Sequence, residues 1–220
     1  MSYTISWEIV WSSLPLLASG MLDTLKLAGM SVVIGLAVGV AGAAARVSRI
    51  AGLRAVTVAY VEAVRNTPML VQLYFVFYGL PQLGIRLDSN ATALVALSLY
   101  CGAYILEIVR ASIEAVGRGQ VEAARALGLS EAAVFGSVVL PQALRSSLPA
   151  LGGQVIVMLK LSSLASVIGA VELTYRVVDI VAQTYRSFEL YAMAGLAYLA
   201  MTLATAAFFR LLESRLRIPR

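Results

Sequence analysis

The chain has 220 residues, 60% of them hydrophobic and 13% charged, against about 25% charged in an average soluble domain. Seventeen Lys and Arg against twelve Asp and Glu give a net charge of +5, with no histidine. These proportions exclude a soluble enzyme, a disordered regulator and a collagen-like fibre. They point to a polytopic helical membrane protein, and long apolar runs argue against a transmembrane β-barrel.

Residues 1–19 carry Trp7 and Trp11 and lack a basic stretch ahead of an apolar one. That pattern suits an N-terminal segment lying at the headgroups rather than a cleaved signal peptide. A bilayer span needs about 20 mostly apolar residues. Five stretches reach that length: 20–45, 53–78, 91–113, 143–169 and 190–211. The first holds Gly29, Gly35, Gly39 and Gly42, which predict close helix packing. The second contains Glu62, Arg65 and Pro68, so it is a helix under strain: Pro68 lacks an N–H and crowds the carbonyl of Val64, freeing an acceptor.

Between the third and fourth stretches lies a loop of about 114–142. Its composition predicts two short helices. One ends at Gly128, a C-terminal cap, and the next starts at Ser130, an N-cap, with Pro141 marking re-entry toward the membrane. Residues 214–220 form a basic tail.

Arginines fall on alternate connections: Arg46, Arg49 and Arg54; then Arg110, Arg118, Arg125 and Arg145; then Arg210, Arg215, Arg217 and Arg220. The connections 82–90 and 172–189 carry no positive excess. Basic loops stay in the cytoplasm, so the sequence predicts an all-α integral membrane protein of five transmembrane helices. Its N-terminus lies outside and its C-terminus inside. The same charge pattern reads as membrane anchoring, with no nucleic-acid partner. Cys101 is the single cysteine and reads as a small core residue. Without histidine, most zinc sites and histidine-based catalysis are absent, and no metal site or catalytic residue is expected.

Two patterns go further. Glu122-Ala123-Ala124, then Gly128, Val138, Leu140 and Pro141 at fixed spacing, resembles the EAA signature of permeases of ATP-binding-cassette importers. Val138 stands where that family usually has Ile. The run Tyr60-Val61-Glu62-Ala63-Val64-Arg65-Asn66-Thr67-Pro68-Met69-Leu70-Val71-Gln72-Leu73 resembles the second-helix signature of polar amino acid permeases of the histidine/glutamine/arginine type. Glu107-Ile108-Val109-Arg110 and Leu159-Lys160-Leu161-Ser162-Ser163-Leu164 also look like that subfamily, and the resemblance covers about 20–213, the expected permease domain.

The resemblance implies a subunit of a binding-protein-dependent importer in the cytoplasmic (inner) membrane of a bacterium or archaeon. The translocation pathway is expected to form with a second permease chain, the same or related. An extracytoplasmic binding protein is expected to deliver the substrate. Glu122, Ala123, Ala124, Gly128, Leu140 and Pro141 are the expected docking surface for a cytoplasmic ATPase dimer. That ATPase would carry ATP and Mg²⁺, since neither lysine of this chain fits a P-loop; no cofactor is expected here, and the chain is not itself an enzyme.

Charges inside a bilayer are costly and normally face a cavity or a partner. Glu62, Lys160, Ser162 and Ser163 are the candidate substrate-binding residues, with Lys160 facing a carboxylate. Two readings stay open for them. Glu62 can instead pair with Arg65, three residues on, and Lys160 with Glu62 or a partner subunit. Glu107 and Arg110 read as a structural ion pair. Leu161 stands where many relatives have Asp or Asn, so this subunit can lack a complete site. The competing function is a self-contained ion-coupled transporter, with Glu62, Glu107 and Lys160 as proton sites.

Overall fold

Inside a bilayer every backbone N–H and C=O must be satisfied within the protein, which leaves an apolar segment the helix as its fold. The computed structural model describes residues 5–48 and 50–216, and those residues are helices joined by short turns. Arg49, Arg217 and Arg220, counted above among the basic residues, lie outside the described residues, as do residues 1–4 and most of the predicted tail.

Helix α1 runs from Trp7 to Val47 without interruption. From Trp7 onward, the interfacial segment expected over 1–19 is the opening of this same helix, and Pro15 lies inside it. Trp7 and Trp11 are exposed. The buried residues Thr24, Ala28, Ser31, Gly35, Gly39 and Ala43 recur every three or four positions, so they form one face. That face lies on α4, Ser89–Glu114.

The approach between α1 and α4 is close enough to exclude side chains. A Cβ on Gly35 would stand 2.7 Å from the Cβ of Cys101, and one on Gly39 would stand 2.6 Å from Ile105 Cγ2. Cys101 is fully buried in this seam. Gly29 is a correction to the sequence reading: a Cβ there would meet nothing within 4 Å. Gly35, Gly39 and Gly42 meet Cys101, Ile105 and Leu106 in rising order, so α1 and α4 run parallel.

Among the described residues, four helices are long and apolar enough to cross a membrane: Trp7–Val47, Ser89–Glu114, Glu131–Ile168 and Ser187–Arg215. The expected second span is divided into α2, Ala51–Arg65, and α3, Met69–Gln82. Neither reaches the length of a span alone. The division falls at Asn66, Thr67 and Pro68, where the proline removes a donor and clashes with a helical carbonyl.

The loop after α4 forms α5, Arg118–Ala126, and α6, Glu131–Val134, with Ser130 Oγ accepting from the Ala133 N–H at 3.3 Å. Pro141, expected to mark re-entry toward the membrane, stands in the first turn of the membrane helix that follows, and the second loop helix runs into that helix without a gap. It passes through a π turn, Phe135–Val139, into α7, Leu140–Leu161, which ends in a 3₁₀ turn over Ser162–Ile168. The wide turn reconciles the proline with a continuous helix. The Leu140 N–H reaches back five residues to the Phe135 carbonyl, just ahead of the Pro141 ring.

Helix α8, Leu173–Thr184, precedes the last helix α9, Ser187–Leu216. A core of Leu17, Leu173, Val177, Leu190 and Met201 joins α1, α8 and α9. A second core, including Leu73, Leu97, Ile105 and Met158, joins α3, α4 and α7.

Candidate functional site

The division between α2 and α3 leaves carbonyls that a continuous helix would have satisfied. Gln72 closes them from the next turn: its Nε2 donates to the Val64 carbonyl at 2.8 Å and to the Thr67 carbonyl at 3.0 Å. The Thr67 hydroxyl donates to the Ala63 carbonyl at 2.8 Å. Pro68 had marked Val64 as an unpaired acceptor; its donor, eight residues away, follows only from the fold.

Charged side chains gather beside this break. Arg65 ends α2, with Nη1 3.7 Å from Glu107 Oε2 and its Cζ 5.5 Å from the Tyr104 ring centroid. Arg110 holds Glu107 from the same helix, Nη2 to Oε2 at 2.8 Å and Nε to Oε1 at 3.1 Å, and reaches Glu114 at 2.5 Å. The expected Glu107–Arg110 pair is present. The expected alternative of a Glu62–Arg65 pair is not: Arg65 faces Glu107, while Glu62 accepts from Asn66 Nδ2 at 2.8 Å. Arg65, Tyr104, Glu107, Ser112, Ser146 and Ala150 line an open cavity of about 480 Å³ between α2, α4 and α7.

The other sequence candidates lie apart from that cavity. Lys160 is exposed on the last turn of α7 and has no ion pair among the described residues. Ser162 is fully buried and donates to the Leu159 carbonyl at 2.8 Å. Ser163 donates to the Lys160 carbonyl at 2.7 Å. Both hydroxyls therefore serve their own helix. Leu161 packs half-buried against the core around Met158 and Leu97.

The loop surface has its own geometry. Gly128 sits at φ +79°, a left-handed conformation that side chains rarely adopt. Its N–H bonds the Arg125 carbonyl at 2.9 Å and the Leu129 N–H bonds the Ala124 carbonyl at 3.2 Å, closing α5 in a turn of the Schellman kind. Arg125 clamps Glu131 with two bonds, Nε to Oε1 at 2.7 Å and Nη2 to Oε2 at 3.0 Å, fixing α5 against α6. Gln142 Nε2 donates to Gln120 Oε1 at 2.5 Å, fixing α5 against α7.

Glu122, Ala123 and Gly128 are exposed, with Leu127 at 83%. Leu140 is also exposed and Pro141 half-buried. Ala124 differs from its neighbours. It is buried against Val134 and Val139, so it holds the loop together rather than facing outward.

Sequence reasoning missed a buried carboxylate. Glu172, counted above as a loop charge, is fully buried and caps α8 through the Tyr175 N–H at 2.8 Å. Its Oε2 accepts from the Tyr198 hydroxyl at 2.6 Å and from Thr24 at 3.3 Å, and Thr24 in turn accepts from the Leu173 N–H at 3.1 Å. Burial pushes this carboxyl above the usual range, against the pull of those donors. An acidic residue before a helical run was the available signal; its three-helix junction was not visible in one dimension.

Apolar helices interlocked through glycines, with a broken helix beside a charged cavity, define a multi-span membrane protein of the transporter kind. Comparison with known proteins gives the family. Residues 35–218 match the model of the binding-protein-dependent transport system inner membrane component, and the chain belongs to that family.

The glutamine transport system permease protein GlnP of Escherichia coli (strain K12) is 36% identical over 214 residues, covering 96% of this chain and 98% of that protein. The octopine transport system permease protein OccM of Rhizobium meliloti is 38% identical over 213 residues, covering 93% and 87%. A chain in the crystal structure of an amino acid ABC transporter with histidines matches with a TM-score of 0.93 at 40% identity, covering 97% of this chain and all of that one. A chain of the inward-facing MetNI methionine ABC transporter matches at 20% identity with a TM-score of 0.77, a likeness of fold.

Proposed function

We propose that this chain is the pathway-forming subunit of an ATP-driven importer of polar amino acids, working as a dimer with the same or a related permease. A separate ATPase dimer, holding ATP and Mg²⁺, docks in the cytoplasm, and an extracytoplasmic binding protein delivers the amino acid. The carrying observation is similarity over nearly the whole chain to permeases whose names specify glutamine and octopine transport.

The fold supports a five-span arrangement. Because α1 and α4 run parallel, the intervening α2 and α3 together make the return crossing. Arg46, Arg110, Arg118, Arg125 and Arg145 then share one end of the bundle, which the positive-inside rule makes cytoplasmic. At that end the α5–α6 surface, braced by the Arg125–Glu131 clamp, presents Glu122, Ala123, Leu127 and Gly128 to the ATPase.

ATP binding draws the ATPase halves together. The braced loop passes that movement into α7, with which α6 is continuous, and the spans rock about the cavity. Glu62 and Lys160 remain candidate substrate contacts, because both are exposed and uncommitted to the core. Ser162, being buried and bonded within its helix, supports Lys160 from behind, with Ser163 beside it. The ion-coupled alternative draws no support from Glu107, whose carboxylate is held between Arg110 and Arg65.

The test is reconstitution of the chain with its co-purifying ATPase and binding protein in proteoliposomes. ATP-dependent uptake of a tritiated mixture of the twenty common L-amino acids is expected. Purification of the chain without an ATPase, with uptake driven by a proton or sodium gradient, would overturn the proposal.

A further inference from the structure

Of the cations grouped at this cavity, Arg65 is the one least tightly paired. Two guanidinium groups, Arg65 and Arg110, stand against two carboxylates, Glu107 and Glu114, and the pairing is uneven. Arg110 takes most of both carboxylates, at 2.8 Å and 2.5 Å. Arg65 reaches Glu107 only at 3.7 Å, and its side chain remains 46% exposed on the cavity wall.

The Arg65 guanidinium is also held in place. Tyr104 lies under it at 5.5 Å, a cation–π contact that fixes a planar group whose donors then point as a fork. A carboxylate is the anion that such a fork accepts through two parallel bonds. The cavity of about 480 Å³ falls within the range of about 300–1,000 Å³ typical of small-molecule sites. The hydroxyl residues Ser112 and Ser146 complete its polar lining. It extends from the helix break along the halves of α4 and α7 that lead to the arginine-rich end.

We infer that Arg65, backed by Tyr104 and oriented by Glu107, is a carboxylate-receiving site for the transported amino acid on the inner part of the pathway, separate from Lys160. The inference rests on the reading of the chain as an amino acid importer. Glu107 is a positioning residue, because Arg110 already occupies its oxygens. The site holds the amino acid after it passes the helix break and before it leaves toward the cytoplasm.

The experiment uses the complete permease–ATPase assembly in lipid nanodiscs without nucleotide, with the same tritiated amino acid mixture as probe. Wild type is expected to retain label. Arg65→Gln removes a charged hydrogen-bonding group and should weaken retention about tenfold or more. Arg65→Lys keeps the charge without the fork and should fall between them. Tyr104→Phe keeps the ring and should match wild type, whereas Tyr104→Leu should lose retention.

Should Arg65→Gln fail to assemble, Arg65→Lys and the two Tyr104 variants carry the same comparison. Equal retention by wild type, Arg65→Lys and Tyr104→Leu overturns the inference. So does a wild type that transports the mixture in proteoliposomes yet retains none. A wild-type assembly, binding protein included, that transports no amino acid with ATP would instead refute the importer reading.

Discussion

The α1–α4 seam and the α2–α3 break meet the same demand in opposite ways. Both lie among apolar helices, where an unpaired backbone group is expensive. The seam keeps every turn regular and gains its stability from contact: glycines let the α1 backbone settle against Cys101 and Ile105. The break gives up a turn, and the released carbonyls are taken by side chains, two by the Gln72 amide and one by the Thr67 hydroxyl. A seam of that kind resists deformation, because close-packed surfaces have no slack. A break held by a few hydrogen bonds has a second arrangement within reach, and it sits next to the charged cavity.

That contrast can be broken most forcefully at the seam. Gly39→Leu should cost more than about 3 kcal/mol, since its first side-chain atom already lies 2.6 Å from Ile105. Gly29→Leu, facing open space, should stay within about 0.5 kcal/mol. Thermal unfolding of the two variants in mild detergent compares them directly.

At the break, Gln72→Leu should cost about 1–3 kcal/mol by stranding the Val64 and Thr67 carbonyls. Adding Pro68→Ala should recover part of that loss, because residue 68 then supplies a backbone donor of its own. A double-mutant cycle on unfolding free energies shows the coupling; strict additivity would count against it.

The loop offers a third way to sharpen the contrast, as a segment that must be shaped without being buried. Gly128→Val forces a β-branched residue to φ +79°, a strain of about 1–2 kcal/mol confined to the loop. Hydrogen exchange over 118–130 should quicken and binding-protein-stimulated ATP hydrolysis should fall, with the global unfolding temperature little changed.

The smallest effect is expected at Glu172. Its raised native value means that the folded state holds the proton more tightly than the unfolded chain does. The stability it contributes is therefore present at pH below the ordinary carboxylate value and is lost as pH rises through the raised one. Melting curves of wild type across that window should show the decline, and Glu172→Gln should flatten it.

Much of the fold was legible because a bilayer restricts the choices. The third and fifth predicted stretches, 91–113 and 190–211, fall within α4 and α9. Pro68 announced the division of the second stretch, and Gly128 and Ser130 announced the loop turn. Pro141 announced the start of the next membrane helix, but not the π turn that joins that helix to the loop helix before it. For the site, Arg65, Glu107 and Arg110 were visible as costly charges, but their grouping was not. Spacing on one helix suggested Glu62 for Arg65, whereas Glu107 on a neighbouring helix is its partner.

The sequence by itself determined the class of protein, the places where helices must begin or break, and the loop signature. Those follow from composition and from local backbone chemistry, which act within a few residues. Only the tertiary structure decided which glycines lie in a seam, that Glu172 is buried at a junction of α1, α8 and α9, and which carboxylate faces Arg65. Periodicity assigns a residue to a face of its helix, while packing between helices chooses what that face meets.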